Sequence, residues 1–495
     1  MKVKSTIRQA QFILCACLLS FNLGAQQNFE TVVDYNYALD FPYSVYQVTD
    51  SGYIFITGGN DSIEFNKLNM DGSLAFQKVF GFPDIRLYVG LPNSLKPTFD
   101  GGWVFGGGVQ YYSSSANPAD GLLVKFKANG DTEFVKFLGD TSWETAYDCI
   151  QTSDSGFVIV GNKNKYSPNF DIDFWIVKTD ISGNIQWERT IGTNTNEQAF
   201  VVIENSKHQI VVSGAKEYAN PIQYPYIAIY DFQGNLITTK SLNFNPFICA
   251  AGSIRHYDSY EYTLTGCLDS VVDVNDALYP EFVARLDNNF NFKWMTVFNA
   301  PEKKDIYINK EISDRGVVIV GFKHDNNTGV PVGWIAKVDS SGNKLWEHFY
   351  AHNNNTNIYN YFSDFEETFD HGFVICGSTF GQNSQDSWII KLDSNGCLDS
   401  SCGLNTGTIE IFSSPLSLLV FPNPSTDRVF IKYTLPFGKA GKLTVFNILG
   451  MRMEDQILPE GSDQIEINIQ RWAQGIYTCV IETGEIVITG KILKE

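Results

Sequence analysis

One pattern recurs through most of this chain and limits what it can fold into: a short apolar run closed by a glycine. The closing residues are Gly58, Gly106, Gly161, Gly214, Gly266, Gly321 and Gly377, at intervals of 48, 55, 53, 52, 55 and 56 residues. Each unit reads as four strands, clearest in Ala146 to Thr152, Gly156 to Gly161, Phe174 to Thr179 and Ile185 to Thr190. A period near fifty with four strands per unit is that of a β-propeller; β-solenoid coils are shorter.

Two kinds of turn punctuate the units. The first joins strands one and two through Asp-x-Gly, as in Asp50 to Gly52, Asp100 to Gly102, Asp154 to Gly156, Asp314 to Gly316 and Asp370 to Gly372. Here glycine is expected to supply positive φ and aspartate to bond its own backbone. The second joins strands three and four through Gly72, Gly130, Gly183, Gly234, Gly342 and Gly396. Four residues beyond the first five of these glycines stand Phe76, Phe134, Trp187, Thr238 and Trp346; the fifth unit has Phe290 in place of its glycine but keeps Trp294. These aromatics are expected to wedge between neighbouring blades, each burying ~150–250 Å².

The two ends of the array fit each other. The seventh unit stops after its third strand, Ser387 to Leu392, whereas FETVVDY, Phe29 to Tyr35, is an orphan fourth strand. Pairing them closes the ring and leaves no open end. The expected fold is all-β: a seven-bladed β-propeller of four-stranded blades over 26–402, a linker over 403–416 and a small β-sandwich over 417–495. The sandwich strands are expected at Arg428 to Tyr433, Lys442 to Asn447, Gln464 to Ile469, Ile476 to Ile481 and Ile486 to Leu493.

A net charge of −19 without a basic stripe disfavours nucleic acid and anionic membrane surfaces as partners. Lys2, Lys4 and Arg8 precede the apolar run Phe12 to Leu19, and Leu23-Gly24-Ala25 offers a cleavage site, so residues 1–25 read as a secretory signal peptide. The run is too short to span a bilayer. Cys17 after Leu14-Cys15-Ala16 is a weaker match to a lipoprotein acceptor. Of the remaining cysteines, Cys397 and Cys402 are the expected disulfide, and Cys376 in a strand run is expected as a buried thiol. No pairing is assigned to Cys149, Cys249 or Cys267.

The last 78 or so residues resemble a known family. Phe421-Pro422-Asn423-Pro424-Ser425, LTVFNILG from Leu443 to Gly450, QGIY with Gly475, Ile476 and Tyr477, and the terminal Lys491-Ile492-Leu493 are similar to the type A C-terminal sorting domain of type IX secretion cargo. That family has Tyr at the position of Phe421 and Leu-Pro at Trp472-Ala473. The resemblance implies engagement of the type IX secretion machinery, passage across the outer membrane, and removal of this domain with release or surface attachment of the rest. The propeller units resemble DGGF/IVG/WIVKLD repeats of exported bacterial proteins, which implies the fold and no activity.

For chemistry, a residue repeated in every blade belongs to the scaffold, whereas a catalytic group is needed once. Lys67, Lys125, Lys178, Arg285, Lys337 and Lys391 share one place in the third strand and are expected to pair with nearby acids. The long second-to-third loops share a face with the blade crossings, and rigid-frame loops are where binding groups sit. The candidate ligand-binding residues there are Tyr111, Tyr112, Tyr166, Asp171, Tyr218, Tyr224, Asp276, Tyr279 and Asp325, which suit stacking and hydrogen bonding to a glycan or protein. Acids crowd the same face (Asp171, Asp173, Asp269, Asp273, Asp276, Glu281, Asp325), and two of them at a suitable separation would hydrolyse a glycoside. His348 and His352 have HxxxH spacing but no helix to align them. No catalytic residue, metal or cofactor is assigned. The expected function is a monomeric, non-catalytic exported propeller for binding or adhesion; the alternatives are a carbohydrate-active hydrolase or lyase and a structural surface component.

Overall fold

In the computed structural model, the described residues are 28–494 less 35–39, 60, 113–118, 141, 166–170, 194, 220–221, 243–247, 257–260, 269–280, 299–303, 325–328, 355–357, 381–383, 400–417, 422–424, 434–439, 448–450, 460–463 and 484–485. The expected signal peptide lies outside them. So do Tyr166, Asp276, Tyr279, Asp325, Cys402 and Pro422 to Pro424.

Seven antiparallel sheets follow one another from Phe29 to Leu392. Blade 1 is Phe41–Gln47, Tyr53–Gly59, Ser62–Leu68 and Leu74–Phe80, hydrogen-bonded in that order. Blades 2 to 7 occupy 85–138, 143–191, 197–241, 248–298, 304–350 and 360–392. In blade 2 the first strand is split into Ile85–Val89 and Leu95–Pro97. Blade 7 takes its fourth strand from the other end of the propeller: Phe29–Val33 pairs antiparallel with Gln385–Leu392, from Phe29 opposite Lys391 to Val33 opposite Ser387. Each blade packs on the next, and the first strand of blade 1 packs on the first three strands of blade 7. The Val45 amide donates to Asp364 Oδ2 across that junction at 3.2 Å. The array is a closed β-propeller.

The first strand carries a bulge in most blades, at Tyr43, Tyr147, Phe200, Tyr307 and Ser363. Beside the bulge the second strand comes so close that a Cβ on Gly161, Gly214, Gly321 or Gly377 would lie 1.8–1.9 Å from a first-strand carbonyl. This close approach is why the marker glycine recurs. Strand register moves the marker by one residue in two blades. The position belongs to Gly107 rather than Gly106 in blade 2, and to Thr57 rather than Gly58 in blade 1.

The Asp-x-Gly turns work differently from the expectation. Positive φ falls on the middle residue, Ser51, Gly101, Ser155, Arg315 or His371. The following glycine is needed for space, because a Cβ on Gly52, Gly156 or Gly372 would sit 2.2–2.5 Å from the carbonyl that ends the third strand. The Asp side chain accepts the glycine amide, as Asp154 does from Gly156 at 3.0 Å. In the other turn set the glycines do carry positive φ, 74–89° at Gly72, Gly130, Gly183, Gly234, Gly342 and Gly396.

Most wedges pack as expected, but at Gly130 the space is filled by Phe65 of the third strand rather than by Phe76. Trp187 Nε1 donates to Phe232 O of the next blade at 2.9 Å, and Trp294 Nε1 to Ser340 O at 2.9 Å. Their rings fill the space a Cβ would need on Gly234 and Gly342, and Trp346 does the same at Gly396. The borrowed strand follows the rule, since Phe29 lies against Gly72 of blade 1 and Thr31 Oγ1 donates to Gly72 O at 2.9 Å.

Two departures from the repeat cancel at one junction. Blade 4 offers Thr238 instead of an aromatic wedge, and blade 5 offers Phe290 instead of glycine. Phe290 holds φ 60°, is 6% exposed, stacks on Tyr262 of its own blade at 4.5 Å and shares a core with Ile227 and Ile229 of blade 4, whose Lys240 lies over its ring at 5.9 Å, so the ring is supplied from the opposite side of the junction. Phe290→Gly is expected to cost about 3 kcal/mol for the lost ring. Thr238→Trp alone is expected to cost about 1–2 kcal/mol through overpacking. The double variant should recover at least about 1 kcal/mol of the summed loss in urea unfolding of the propeller.

After the propeller come two sheets with one shared core. Leu418–Phe421, Arg428–Tyr433 and Gln464–Asn468 form one; Arg452–Leu458, Gly441–Asn447, Gly475–Thr483 and Ile486–Lys494 form the other. Val429, Ile431, Tyr433, Leu443, Val445 and Ile481 fill the space between. Leu418–Phe421 and Arg452–Leu458 were not expected as strands; the second is an edge strand whose charged, largely exposed residues mask it. Tyr477 is buried, donates to Ala473 O at 2.7 Å and packs on Trp472 at 4.7 Å, while Ile476 and Lys491 face solvent.

Cys149, Cys376 and Cys479 are free buried thiols, as expected for Cys376. Cys397 is disulfide-bonded, and so is Cys267, for which no bridge was assigned from the sequence.

Candidate functional site

Several side-chain constellations recur around the ring and belong to its frame. The third-strand lysines pair with the Asp-x-Gly aspartates: Lys67 with Asp50, Lys125 with Asp100 at 2.8 Å, Lys178 with Asp154 at 2.9 Å, Lys337 with Asp314 at 2.6 Å and Lys391 with Asp370 at 3.0 Å. Where the fifth blade has Arg285, the partners are Glu261 and Glu311, both at 3.2 Å. Blade 4 lacks both halves, with Lys207 at the aspartate's place in the turn and Ile229 in the strand. These pairs fasten the turn to the sheet.

Ser313, His371 and Glu367 resemble a hydrolytic triad and line a recess of about 340 Å³ on the tight-turn face. Two facts assign them to the frame. The His371 Nδ1 atom faces both Ser313 Oγ, at 3.3 Å, and Glu367 Oε1, at 3.1 Å, so the ring does not bridge them through opposite nitrogens as a relay requires. The same trio recurs as Ser153, His208 and Glu204 between blades 3 and 4. Lys310 with Asp364 in that recess also has a counterpart, Lys96 with Asp148, both at 3.0 Å. His348 Nε2 meets Asn395 O at 3.0 Å and His352 Nδ1 meets Glu30 at 2.6 Å, so the HxxxH pair is divided between two partners.

The opposite face carries a five-ring cluster that does not recur among the described residues, although its Tyr307 stands at a bulge position that is also aromatic in three other blades, as Tyr43, Tyr147 and Phe200. Tyr307 from the bulge of blade 6, Phe322 from the end of its second strand, Tyr359 and Tyr361 at the entry to blade 7, and Phe380 at the end of its second strand form one aromatic platform. Phe322 is 5.5 Å from Tyr307 and 5.1 Å from Tyr361. Tyr361 stacks on Tyr359 at 6.2 Å, and Phe380 is 5.3 Å from Tyr359. Tyr359 is 46% and Tyr307 38% exposed. Burial, then Tyr361, Asp305 and Tyr43, push the Tyr307 phenol up to about 12, so it stays a neutral hydroxyl. Such a surface offers ring faces with hydroxyls at their edges, suited to stacking and hydrogen bonding at once.

Sequence reasoning singled out none of these five rings, because Tyr307, Phe322, Tyr361 and Phe380 belong to strands rather than loops and Tyr359 stands one residue before a strand. The signal was an aromatic on both sides of one junction. Of the residues expected on this face, Tyr111 ends a blade 2 strand and donates to Asp120 Oδ2 at 2.7 Å, which gives it a structural partner. Tyr112 is 57% exposed and hydrogen-bonds Asp61, with Arg86 and Tyr88 alongside. Asp171, Tyr218 and Tyr224 stand inside strands that run further than expected, Asp171–Thr179, Ile210–Ala219 and Ile222–Tyr230. The expected residues are thus dispersed over several blades.

A second non-recurring feature lies at the seam between blades 7 and 1. Register places Glu64 where the other blades have Leu122, Trp175, Tyr226, Phe282, Trp334 and Trp388. Asn66, two residues on, stands where they have apolar residues such as Val177 and Ala336. Glu64, Asn66 and Thr57 are all fully buried. Ser62 Oγ donates to Glu64 Oε1 at 2.8 Å, and Thr57 Oγ1 lies 3.4 Å from Ser387 Oγ of blade 7. Burial first, with Asp40 adding to it, raises the Glu64 carboxyl to about 7.

Residues 419–495 match the secretion system C-terminal sorting domain family. The chain therefore carries a type IX secretion sorting domain, which directs export to the cell surface or extracellular space. No curated protein matches the chain. Among solved structures, it is similar to virginiamycin B lyase from Staphylococcus aureus (11% identity, 74% of this chain and 100% of that one, TM-score 0.42). It is also similar to the β-propeller domain of the trilobed protease from Pyrococcus furiosus (10%, 73% and 93%, 0.41) and to PorZ, a surface component of the type IX secretion system of Porphyromonas gingivalis (9%, 92% and 81%, 0.29). Among the described residues no helix is long and apolar enough to cross a membrane.

Proposed function

We propose that this is an exported binding protein whose propeller holds a glycan on the aromatic platform of blades 6 and 7. In this reading, residues 26–402 work as the binding unit, 403–416 tether it, 417–495 deliver it through the secretion machinery, and 1–25 are the signal for the inner membrane. The observation that carries the reading is the five-ring cluster of Tyr307, Phe322, Tyr359, Tyr361 and Phe380, which joins two blades and is not repeated among the described residues of the others. Sugar rings present apolar faces to such platforms while their hydroxyls meet the tyrosine edges.

The test is a glycan array with the whole chain, followed by titration of each hit. Tyr359→Ala is expected to weaken binding about threefold to tenfold, the equivalent of roughly 1 kcal/mol for one stacked ring. The double variant with Tyr361→Ala should abolish detectable binding while leaving the melting temperature of the propeller within a few degrees. Hits that survive the double variant would relocate the site. Turnover of the bound sugar would favour the hydrolase or lyase alternative.

A further inference from the structure

The junction where the ring closes is the one where an acid replaces the bulky apolar residue of the third strand. Six blades place Leu122, Trp175, Tyr226, Phe282, Trp334 or Trp388 at this register, and blade 1 places Glu64. Trp175 packs on Gly121 of the blade before it. Thr57, the cross-strand neighbour of Glu64, meets Ser387 Oγ of blade 7 at 3.4 Å, so Glu64 is likewise turned toward the blade before it. Ser387 in turn pairs with Val33 of the borrowed strand. The acid therefore stands beside the strand pairing that closes the ring.

Glu64 is fully buried, and its Oε2 has no hydrogen-bond partner among the described residues. Its Oε1 lies 2.8 Å from Ser62 Oγ, which also lies 3.1 Å from Gly59 O. A hydroxyl has one proton to give. With Glu64 ionised, that proton must serve two acceptors and Oε2 is left without a donor. With Glu64 protonated, the acid donates to Ser62, whose own proton goes to Gly59 O. The arrangement suits the neutral acid.

The charged groups on the elements packed around it do not offset an ionised Glu64. Asp40 stands ahead of the first strand of blade 1, with one oxygen within 4.8 Å of oxygens of Asp34 and Asp386. From blade 7, Asp364 of the first strand holds Lys310 at 3.0 Å, and Lys391 of the third strand is held by Asp370 at 3.0 Å. None of these groups bonds to Glu64. Asn66 Oδ1 and Ser378 Oγ, buried without a partner on the two sides of the seam, supply dipoles and no cation. Burial, opposed in part by the Ser62 hydrogen bond and reinforced by Asp40, raises the Glu64 carboxyl to about 7. The folded ring then keeps a proton that the unfolded chain releases above about pH 4.3. Stability from this group falls as pH rises from there through the folded value, and stays low above it.

We infer that Glu64 is a proton-dependent latch on the ring: protonated, it lets blade 1 seat on blade 7, and ionised, it loosens the junction that Phe29–Val33 completes. The latch is independent of the glycan reading. The test compares the whole chain with Glu64→Gln, which keeps the shape and cannot ionise. The melting temperature of the variant minus that of the wild type should rise by about 2–4 °C between pH 5 and pH 8.5. Glu64→Leu, with the residue type of blade 2, should show the same rise. Hydrogen exchange, corrected for its intrinsic pH dependence, locates the effect. Over that interval the amides of Phe29–Val33 and Gln385–Leu392 should speed up about tenfold relative to those of Phe157–Lys165, and Glu64→Gln should remove the gain. A melting difference that is the same at both pH values for both variants, or exchange that speeds up equally in all blades, overturns the inference.

Discussion

Removing residues 28–33 should lower the melting temperature of the propeller by about 6 °C. The loss has three parts. Five strand residues forfeit their ladder with Gln385–Leu392. Phe29 leaves its contacts with Gly72 and Tyr53, and Val33, 7% exposed, leaves the core between blades 7 and 1. Glu30 releases Trp388 Nε1, at 2.9 Å, and His352. At about 1 kcal/mol net per hydrogen bond and 1.5–3 kcal/mol per buried apolar side chain, less the entropy regained, roughly 5 kcal/mol is at stake. For a chain this large that corresponds to a shift of the stated size. The truncation also bares the edge of Gln385–Leu392, so dimers or aggregates should appear in light scattering. A peptide spanning Asn28 to Asp34 should restore the melting temperature when added in excess. A truncated chain that melts like the full one would mean that the strand does not close the ring.

The second large effect concerns the buried ion pairs. Lys391 has no exposed side-chain surface, and burial pulls its pKa down against the opposing influence of Asp370. Asp370→Ala leaves that ammonium buried with only Leu392 O as a bonded acceptor, and should cost about 3–5 kcal/mol. Lys391→Met should cost less, because the remaining carboxylate is the more exposed partner and Thr368 still donates to it. Urea midpoints of the two variants separate these outcomes, and equal losses would argue against a buried-charge origin.

The same pairs set the response to acid. Lysine hydrogen bonding draws Asp50 down. For Asp100, Asp154, Asp314 and Asp370 burial opposes, but hydrogen bonds from lysines, backbone amides and, at three of them, neighbouring threonines prevail, bringing Asp100 to about 2. A carboxyl with a depressed folded pKa gives stability that is full above the unfolded value near pH 4 and is lost as pH falls through the folded value. Melting temperatures should therefore fall between about pH 4 and pH 2, and Asp100→Asn should flatten part of that fall.

Much of this architecture was legible because propellers repeat. The marker glycines gave the unit, and the missing fourth strand after Leu392 identified Phe29–Val33 as its replacement. What escaped were features that depend on register. Gly58 looked like the marker of blade 1, but the first-strand bulge at Tyr43 assigns that position to Thr57, and only then does Glu64 fall in line with Trp175 and Trp388. The role of glycine in the Asp-x-Gly turns was misread because composition cannot separate a residue chosen for φ from one chosen for space. Thr238 and Phe290 were each visible as exceptions; that they compensate required the contact between blades. The candidate platform escaped for a related reason, since attention fell on loops while its rings project from strand ends.

Closure by the first strand has a temporal consequence. Glu30 bonds a side chain 358 positions later in the chain. While the polypeptide emerges from its amino end, this segment has nothing to pair with until nearly the whole propeller has been synthesised. So remote a contact forms late and slowly, since a long loop must close before it is rewarded. The finishing step of folding is thus deferred to the end of synthesis or beyond.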